Sequence, residues 1–178
     1  MPQQNRIQEA IGPFHVTARG NRGRAIFVDD CDRRRFVDLL SRISRDLSWT
    51  LDAFCLMTNH YHLVLETPTA HLSKGMQGLN ASYAQWFNRR HDLTGHLFRH
   101  RFYAGLVSSD EHFIELLRYL ALNPVHAGLC ASPEEWPWSS YALLISQESP
   151  GLISDRSLAY FGGDRRSREA FRQFVQDA

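Results

Sequence analysis

Residues 49–66 read WTLDAFCLMTNHYHLVLE, and this stretch decides the fold. Aliphatic, aromatic and β-branched residues dominate both of its halves, Thr58-Asn59 interrupts them, and Pro68 follows the second run. The reading is a β-hairpin with strands over Trp49 to Met57 and His60 to Glu66, joined by a tight Thr58-Asn59 connection.

Working outward, Phe14 to Ala18 (FHVTA) reads as a strand, and the Gly/Asn/Arg-rich segment Arg19 to Arg24 as a loop. Between Asp29 and Leu47 the apolar residues Phe36, Leu39, Leu40, Ile43 and Leu47 recur at three and four, which marks one buried face of a helix. Downstream, His71 to Arg90 is helical in composition, Asn88 to Gly95 is a polar loop, and Leu97 to Val107 is expected as a further strand. Ser108 and Glu111 have the spacing of a capping box. Behind them Phe113, Leu116, Leu117 and Leu120 form an apolar stripe, so a helix spans about Ser109 to Leu122 until Asn123-Pro124 stops it. After Trp136-Pro137-Trp138 come short helical segments and a charged tail, Asp164 to Ala178.

The order β-α-β-β-α-β predicts an α+β fold. Its core is ferredoxin-like with an antiparallel sheet, followed by the tyrosine-bearing helix and a short C-terminal helical appendage. One domain over residues 1–178 is expected, with its core at about 12–130 and the appendage at about 131–178.

Composition narrows the class. The chain has 178 residues, 43% hydrophobic and 22% charged, which argues against disorder, a coiled coil or a membrane protein. No run approaches the roughly 20 apolar residues of a membrane span, and the start Met-Pro-Gln-Gln-Asn-Arg lacks the apolar core of a signal peptide, so a cytoplasmic protein is expected. Cysteines at 31, 55 and 130 suggest neither a disulfide framework nor a cysteine zinc site. The net charge of +1 does not announce a nucleic-acid partner, but its distribution is uneven. Only Lys74 is lysine. Arginines cluster at Arg19, Arg22 and Arg24, at Arg33 to Arg35, and at Arg89, Arg90, Arg99 and Arg101. A planar guanidinium suits phosphate well.

His60-Tyr61-His62 lies within a predicted strand, so its two imidazoles project from one face and Tyr61 from the other. Two histidines at this spacing form a metal clip. On the capped helix, His112, Glu115, Tyr119 and Asn123 align at steps of three and four, opposite the leucine stripe. If that face lies over the histidine strand, the Asn123 amide oxygen completes a three-ligand site suited to Mg²⁺ or Mn²⁺. Tyr119 is then the candidate nucleophile, attacking a phosphodiester to leave a 5′-phosphotyrosine and a free 3′-hydroxyl. The competing reading of Tyr119 is a half-exposed aromatic that caps the core.

Other residues compete for roles. Tyr83, with Trp86 and Phe87 beside it, reads as packing, and Tyr61 points away from the candidate metal. His96 and His100, beside Arg99 and Arg101, either contact phosphates or bases or lie solvated at a sheet edge. Glu66 and Glu115 either tune the site or are exposed carboxylates. The Arg19 to Arg24 loop can bring amides and guanidinium groups to a phosphate chain. Trp136, Trp138 and Tyr141 read as tail packing, with base stacking as the alternative.

Taken together these segments resemble the single-tyrosine HUH transposases of bacterial insertion sequences, and most of all the REP-associated tyrosine transposases. The likeness runs from Phe14-His15-Val16-Thr17-Ala18-Arg19-Gly20-Asn21 through Met57-Thr58-Asn59-His60-Tyr61-His62-Leu63 and Ser82-Tyr83-Ala84-Gln85-Trp86-Phe87-Asn88. It continues through Gly95-His96-Leu97-Phe98, Leu117-Arg118-Tyr119 and Leu122-Asn123-Pro124-Val125 to Trp136-Pro137-Trp138-Ser139-Ser140-Tyr141. The resemblance implies His60 and His62 as the histidine pair, Tyr119 as catalytic tyrosine and Asn123 as a metal-binding residue. Arg19, Arg22, Arg24, Arg99 and Arg101 are the candidate DNA contacts. The implied substrate is single-stranded DNA with hairpins, handled by a monomer or a homodimer. Two departures, Arg99-His100 where relatives read Gln-Gly and His126 in place of a common arginine, bear on DNA preference and not on chemistry.

Three functions compete. A strand-transfer enzyme predicts covalent protein-DNA adducts. A non-catalytic regulator that binds single-stranded nucleic acid predicts binding that survives loss of Tyr119. A hydrolase using metal-activated water predicts cleavage without a covalent intermediate.

Overall fold

A computed structural model of the chain describes residues 12–68, 71–146, 151–162 and 166–177. The N-terminal stretch read above as lacking a signal peptide lies outside the described residues, as do 164, 165 and 178 of the charged tail.

Strand β1 (Gly12–Arg19) alternates, with Phe14, Val16 and Ala18 buried on one face and His15, Thr17 and Arg19 on the other. It pairs antiparallel with β3 (His60–Thr67) on one side and β4 (Tyr103–Leu106) on the other, while β2 (Thr50–Leu56) pairs antiparallel with β3. The resulting order, β2-β3-β1-β4, is that of the expected split β-α-β plan. Register sets the faces. Phe14, Val16 and Ala18 stand opposite Leu65, Leu63 and Tyr61, whereas Thr17 and Arg19 stand opposite His62 and His60.

Helices α1 (Asp30–Asp46) and α2 (Leu72–Arg90) cover the apolar face. Phe36 of α1 lies 4.7 Å from the Tyr61 ring and 5.2 Å from that of Tyr83 on α2. The buried Tyr83 hydroxyl donates to the Ile26 carbonyl at 2.5 Å, and Tyr61 donates to Asn80 at 2.7 Å, so both tyrosines are packing residues with a satisfied polar end. The Asp29 side chain caps α1 by accepting from the Cys31 and Asp32 amides, and Asp32 reaches back to the Asp29 amide. Arg90, at the end of α2, bridges to both Asp29 and Asp32 and joins the two helices.

The second face of the sheet is covered by α3 (Asp110–His126) and by the appendage, α4 (Ser140–Ile145), α5 (Arg156–Ala159) and α6 (Ser167–Gln176). Trp136 donates to the Leu56 carbonyl and Trp138 to Asp30, while the Arg33 guanidinium lies over both indoles. These tryptophans therefore fasten the appendage to the core. Glu66 pairs with Arg156 of α5, also a structural role.

Several boundaries differ from expectation. The strand expected over Leu97 to Val107 is paired only at Tyr103–Leu106, with a single bridge from Phe98 to Gly20. Between them Arg99, His100 and Arg101 are exposed, both guanidinium groups stay solvated, and the chain leaves the ladder with a bond from the Arg99 amide to the Arg19 carbonyl. The α3 cap is Ser109, whose oxygen accepts from the His112 amide, one residue beyond the expected Ser108. Helix α3 also runs through Pro124 to His126. Burial of the proline ring offsets the single hydrogen bond it removes, and Gly128, at φ 68°, ends the turn instead. Within the expected charged tail lies the amphipathic α6, which buries Phe171 and Val175. Its Phe174 ring receives the Arg118 guanidinium of α3 at 3.6 Å.

Candidate active site

His60 and His62 project from the second face of β3, under α3, and line a cavity of about 520 Å³ together with Arg19, Arg99, Arg101 and Tyr119. The Tyr119 and histidine candidates thus meet three of the candidate arginines across elements distant in sequence. The Tyr119 ring stands edge-on to His62, with centroids 5.5 Å apart, and is 47% exposed, so its phenol is reachable from the cavity. One turn along α3 the buried Asn123 turns its amide to His62, with Nδ2 3.3 Å from Nε2. Arg22 and Arg24 do not line this cavity; Arg22 is exposed in a short turn over Asn21–Gly23 and Arg24 is exposed just after it. That turn needs Gly20, because a Cβ there would lie 2.1 Å from the Arg24 carbonyl oxygen.

Each imidazole is oriented by a second group. Asn59 Oδ1 lies 2.7 Å from His60 Nδ1 and accepts its proton, while Asn59 Nδ2 donates to the Gly23 carbonyl. His15 Nε2 lies 2.8 Å from His62 Nδ1. Burial lowers all three histidines: His62 is pushed down to about 3 by burial and by His15 and His60, and His15 to about 4 by burial and by His112. His60 is lowered by burial and by the Arg19 charge. They are therefore neutral near pH 7 and keep a lone pair each.

Such a donor set could hold a divalent metal. Neutral imidazoles with their Nδ1 atoms occupied offer Nε2 for coordination, and rotation of the Asn123 amide would offer Oδ1 in place of Nδ2. Among the described residues no group of three or more His, Cys, Asp or Glu side chains is arranged to hold a metal ion. The residues that could hold one are therefore two imidazoles and one carboxamide.

Sequence reasoning did not single out His15 or Asn59. His15 was legible, since the alternation of FHVTA puts it on the face opposite Phe14 and Val16. That it meets His62 depended on strand register. His96 and His100 are exposed; His100 lines the cavity just described, and both line a second one of about 490 Å³ against Ser73, Gln77 and Asn80 of α2. Glu115 pairs with Arg118 on the outer side of α3.

The family model described as "Transposase IS200 like" matches residues 12–123. The chain belongs to the IS200-like transposases. This is a family of DNA-cleaving, generally metal-dependent enzymes, and transposase function follows at that level. Among solved structures, the REP-associated tyrosine transposase bound to a REP hairpin superposes with a TM-score of 0.66 at 17% identity, covering 82% of this chain and 85% of that one. That likeness is one of fold. A Deinococcus radiodurans R1 protein described as a candidate transposase superposes with a TM-score of 0.47 at 18% identity, covering 62% of this chain and 88% of that one. No curated protein matches the chain. Among the described residues no helix of this transposase is long and apolar enough to cross a membrane.

Proposed function

We propose that this transposase nicks and rejoins single-stranded DNA by transesterification, with Tyr119 as nucleophile and a metal held by His60, His62 and Asn123. The observation that carries the reading is the meeting of the Tyr119 ring and both imidazoles at one cavity rimmed by Arg19, Arg99 and Arg101, with the Asn123 amide 3.3 Å from Nε2 of His62. A bound Mg²⁺ or Mn²⁺ would supply Lewis-acid polarisation of the phosphodiester and stabilise charge on the departing oxygen. Arg19, Arg99 and Arg101 bind the strand through its phosphates and hold it against the phenol.

Tyr119 Oη loses its proton to solvent and forms a bond to phosphorus, and the bond from phosphorus to the 3′ oxygen breaks. The leaving 3′ oxygen takes a proton from solvent. The product is a 5′-phosphotyrosine, and because the phosphoester is conserved, a second 3′-hydroxyl reverses the step and joins strands without ATP. Arg22 and Arg24 extend the binding surface beyond the cavity. The hairpin of the structural neighbour, with the fold it shares, supports single-stranded DNA bearing hairpins as substrate, which a bacterial enzyme would meet in the cytoplasm.

The test uses labelled single-stranded hairpin DNA from around the gene, with Mn²⁺, for the wild type and Tyr119→Phe. A protein-DNA band that survives denaturation in the wild type alone supports the reading. Cleavage without an adduct favours a hydrolase. Binding without cleavage, unchanged in the mutant, favours a regulator that has kept the fold and lost catalysis.

A further inference from the structure

His15 has no part in the chemistry above, yet its contact with His62 constrains that residue. The two rings lie nearly parallel, 16° apart with centroids separated by 5.1 Å, and His15 Nε2 stands 2.8 Å from His62 Nδ1. A single proton lies between these nitrogens, so one ring donates and the other accepts. The opposite end of His62 decides which. Nε2 faces the Asn123 amide nitrogen at 3.3 Å, and an N–H there would set donor against donor. His62 therefore carries its proton on Nδ1 and His15 accepts it, which leaves His15 protonated on its own Nδ1.

The same arrangement recurs at the other imidazole by different means. Asn59 Oδ1, from the hairpin turn, accepts the His60 Nδ1 proton at 2.7 Å. Both rings of the pair thus carry their proton on Nδ1 and keep Nε2 unprotonated. His15 occupies its place because β1 pairs with β3 so that Thr17 is opposite His62, and His15 is the next residue along the same face.

We infer that His15 is a positioning residue, which accepts the Nδ1 proton of His62 and so fixes the tautomer and ring orientation that aim the His62 Nε2 lone pair at the metal position. The inference rests on the reading of His62 as a metal ligand. A ligating imidazole whose second nitrogen is held by an acceptor is more basic and better oriented, and losing such a partner lowers metal affinity by roughly 10- to 100-fold.

The experiment measures Mn²⁺ binding by calorimetry in the absence of DNA, together with thermal melting, for His15→Leu, His15→Gln and His62→Ala. Glutamine keeps an acceptor near the position of Nε2; leucine has similar bulk and none. Leucine is expected to weaken Mn²⁺ binding by roughly 10- to 100-fold, glutamine to restore most of it, and adduct formation in the leucine variant to recover at high Mn²⁺. Wild-type affinity in His15→Leu, or a glutamine variant no better than leucine, overturns the inference while leaving the ligand reading intact. Unchanged Mn²⁺ affinity in His62→Ala overturns the ligand reading and this inference with it. Should the leucine variant fail to fold, imidazole ¹⁵N spectra of the metal-free wild type decide the matter: an Nδ1–H tautomer for His62 supports the inference, and an Nε2–H tautomer refutes it.

Discussion

The Asn123 amide stands 3.3 Å from Nε2 of His62, which brings the fourth turn of α3 onto the central strand pair of the sheet. The contact fixes the height of α3 over the sheet, and one turn earlier the same helix delivers the Tyr119 ring to His62. Candidate nucleophile and candidate ligand therefore share one rigid element. Asn123→Ala is expected to weaken Mn²⁺ binding by about tenfold or more and to slow adduct formation at low Mn²⁺. Single-turnover rates across a Mn²⁺ titration check this, and a rate that does not recover at saturating Mn²⁺ would assign Asn123 to positioning of Tyr119 instead.

The arginines divide by position. Arg19, Arg99 and Arg101 line the cavity and Arg22 and Arg24 do not. Alanine at any of the first three should weaken binding of single-stranded hairpin DNA and reduce the slope of log affinity against log salt by about 0.7, the value for one phosphate contact on a single strand. Arg22→Ala and Arg24→Ala should have smaller effects on adduct rate than on binding. Fluorescence anisotropy at several salt concentrations measures the slopes, and equal effects at all five positions would contradict the division.

Acid stability should depend on the junction of α1 and α2. The hydrogen bond from Arg90, together with the amides Asp29 caps, holds the Asp29 carboxyl down at about 2, against an ordinary value of 3.8. A carboxylate lowered on folding stabilises the protein above its unfolded value and loses that contribution as pH falls towards the folded one. Asparagine still caps a helix, so Asp29→Asn removes mainly the charge. The difference in Tm between wild type and Asp29→Asn is expected to be full above about pH 4 and to close towards pH 2; a difference independent of pH would mean that the charge pair contributes nothing.

Phe36 tests the core beneath the histidine strand. It is fully buried and touches Phe27, Tyr61 and Tyr83. Phe36→Ala should cost about 3–5 kcal/mol, a fall in Tm of roughly 6–20 °C for a chain of this size. Urea unfolding monitored by tryptophan fluorescence reads the change, and a loss below about 1 kcal/mol would mean the cavity had collapsed around the smaller side chain.

Much of this was legible in the sequence because its signals are local. Strand alternation in FHVTA and in HYHLVLE, the apolar spacing from Phe36 to Leu47, and turn residues between the hairpin strands all act within a few residues, and they led to the ferredoxin-like order and to His60, His62, Tyr119 and Asn123 as candidates. Element ends were less legible where tertiary burial outweighs local preference. Pro124 has no amide to donate, but the core that buries its ring keeps α3 helical to His126. Arg99 to Arg101 fall inside the strand expected over Leu97 to Val107, yet all three are exposed, stand outside the ladder and line the cavity.

Which distant residues touch was decided by tertiary structure alone. Pattern could assign His15 and His62 to faces of strands, but only the antiparallel register of β1 on β3 makes them neighbours, and only the packing of α3 across that face brings Asn123 to the same imidazole. The physical reason is range: hydrophobic periodicity and capping act along a few turns of chain, whereas the alignment of a proton between two rings depends on how whole elements settle against a shared core.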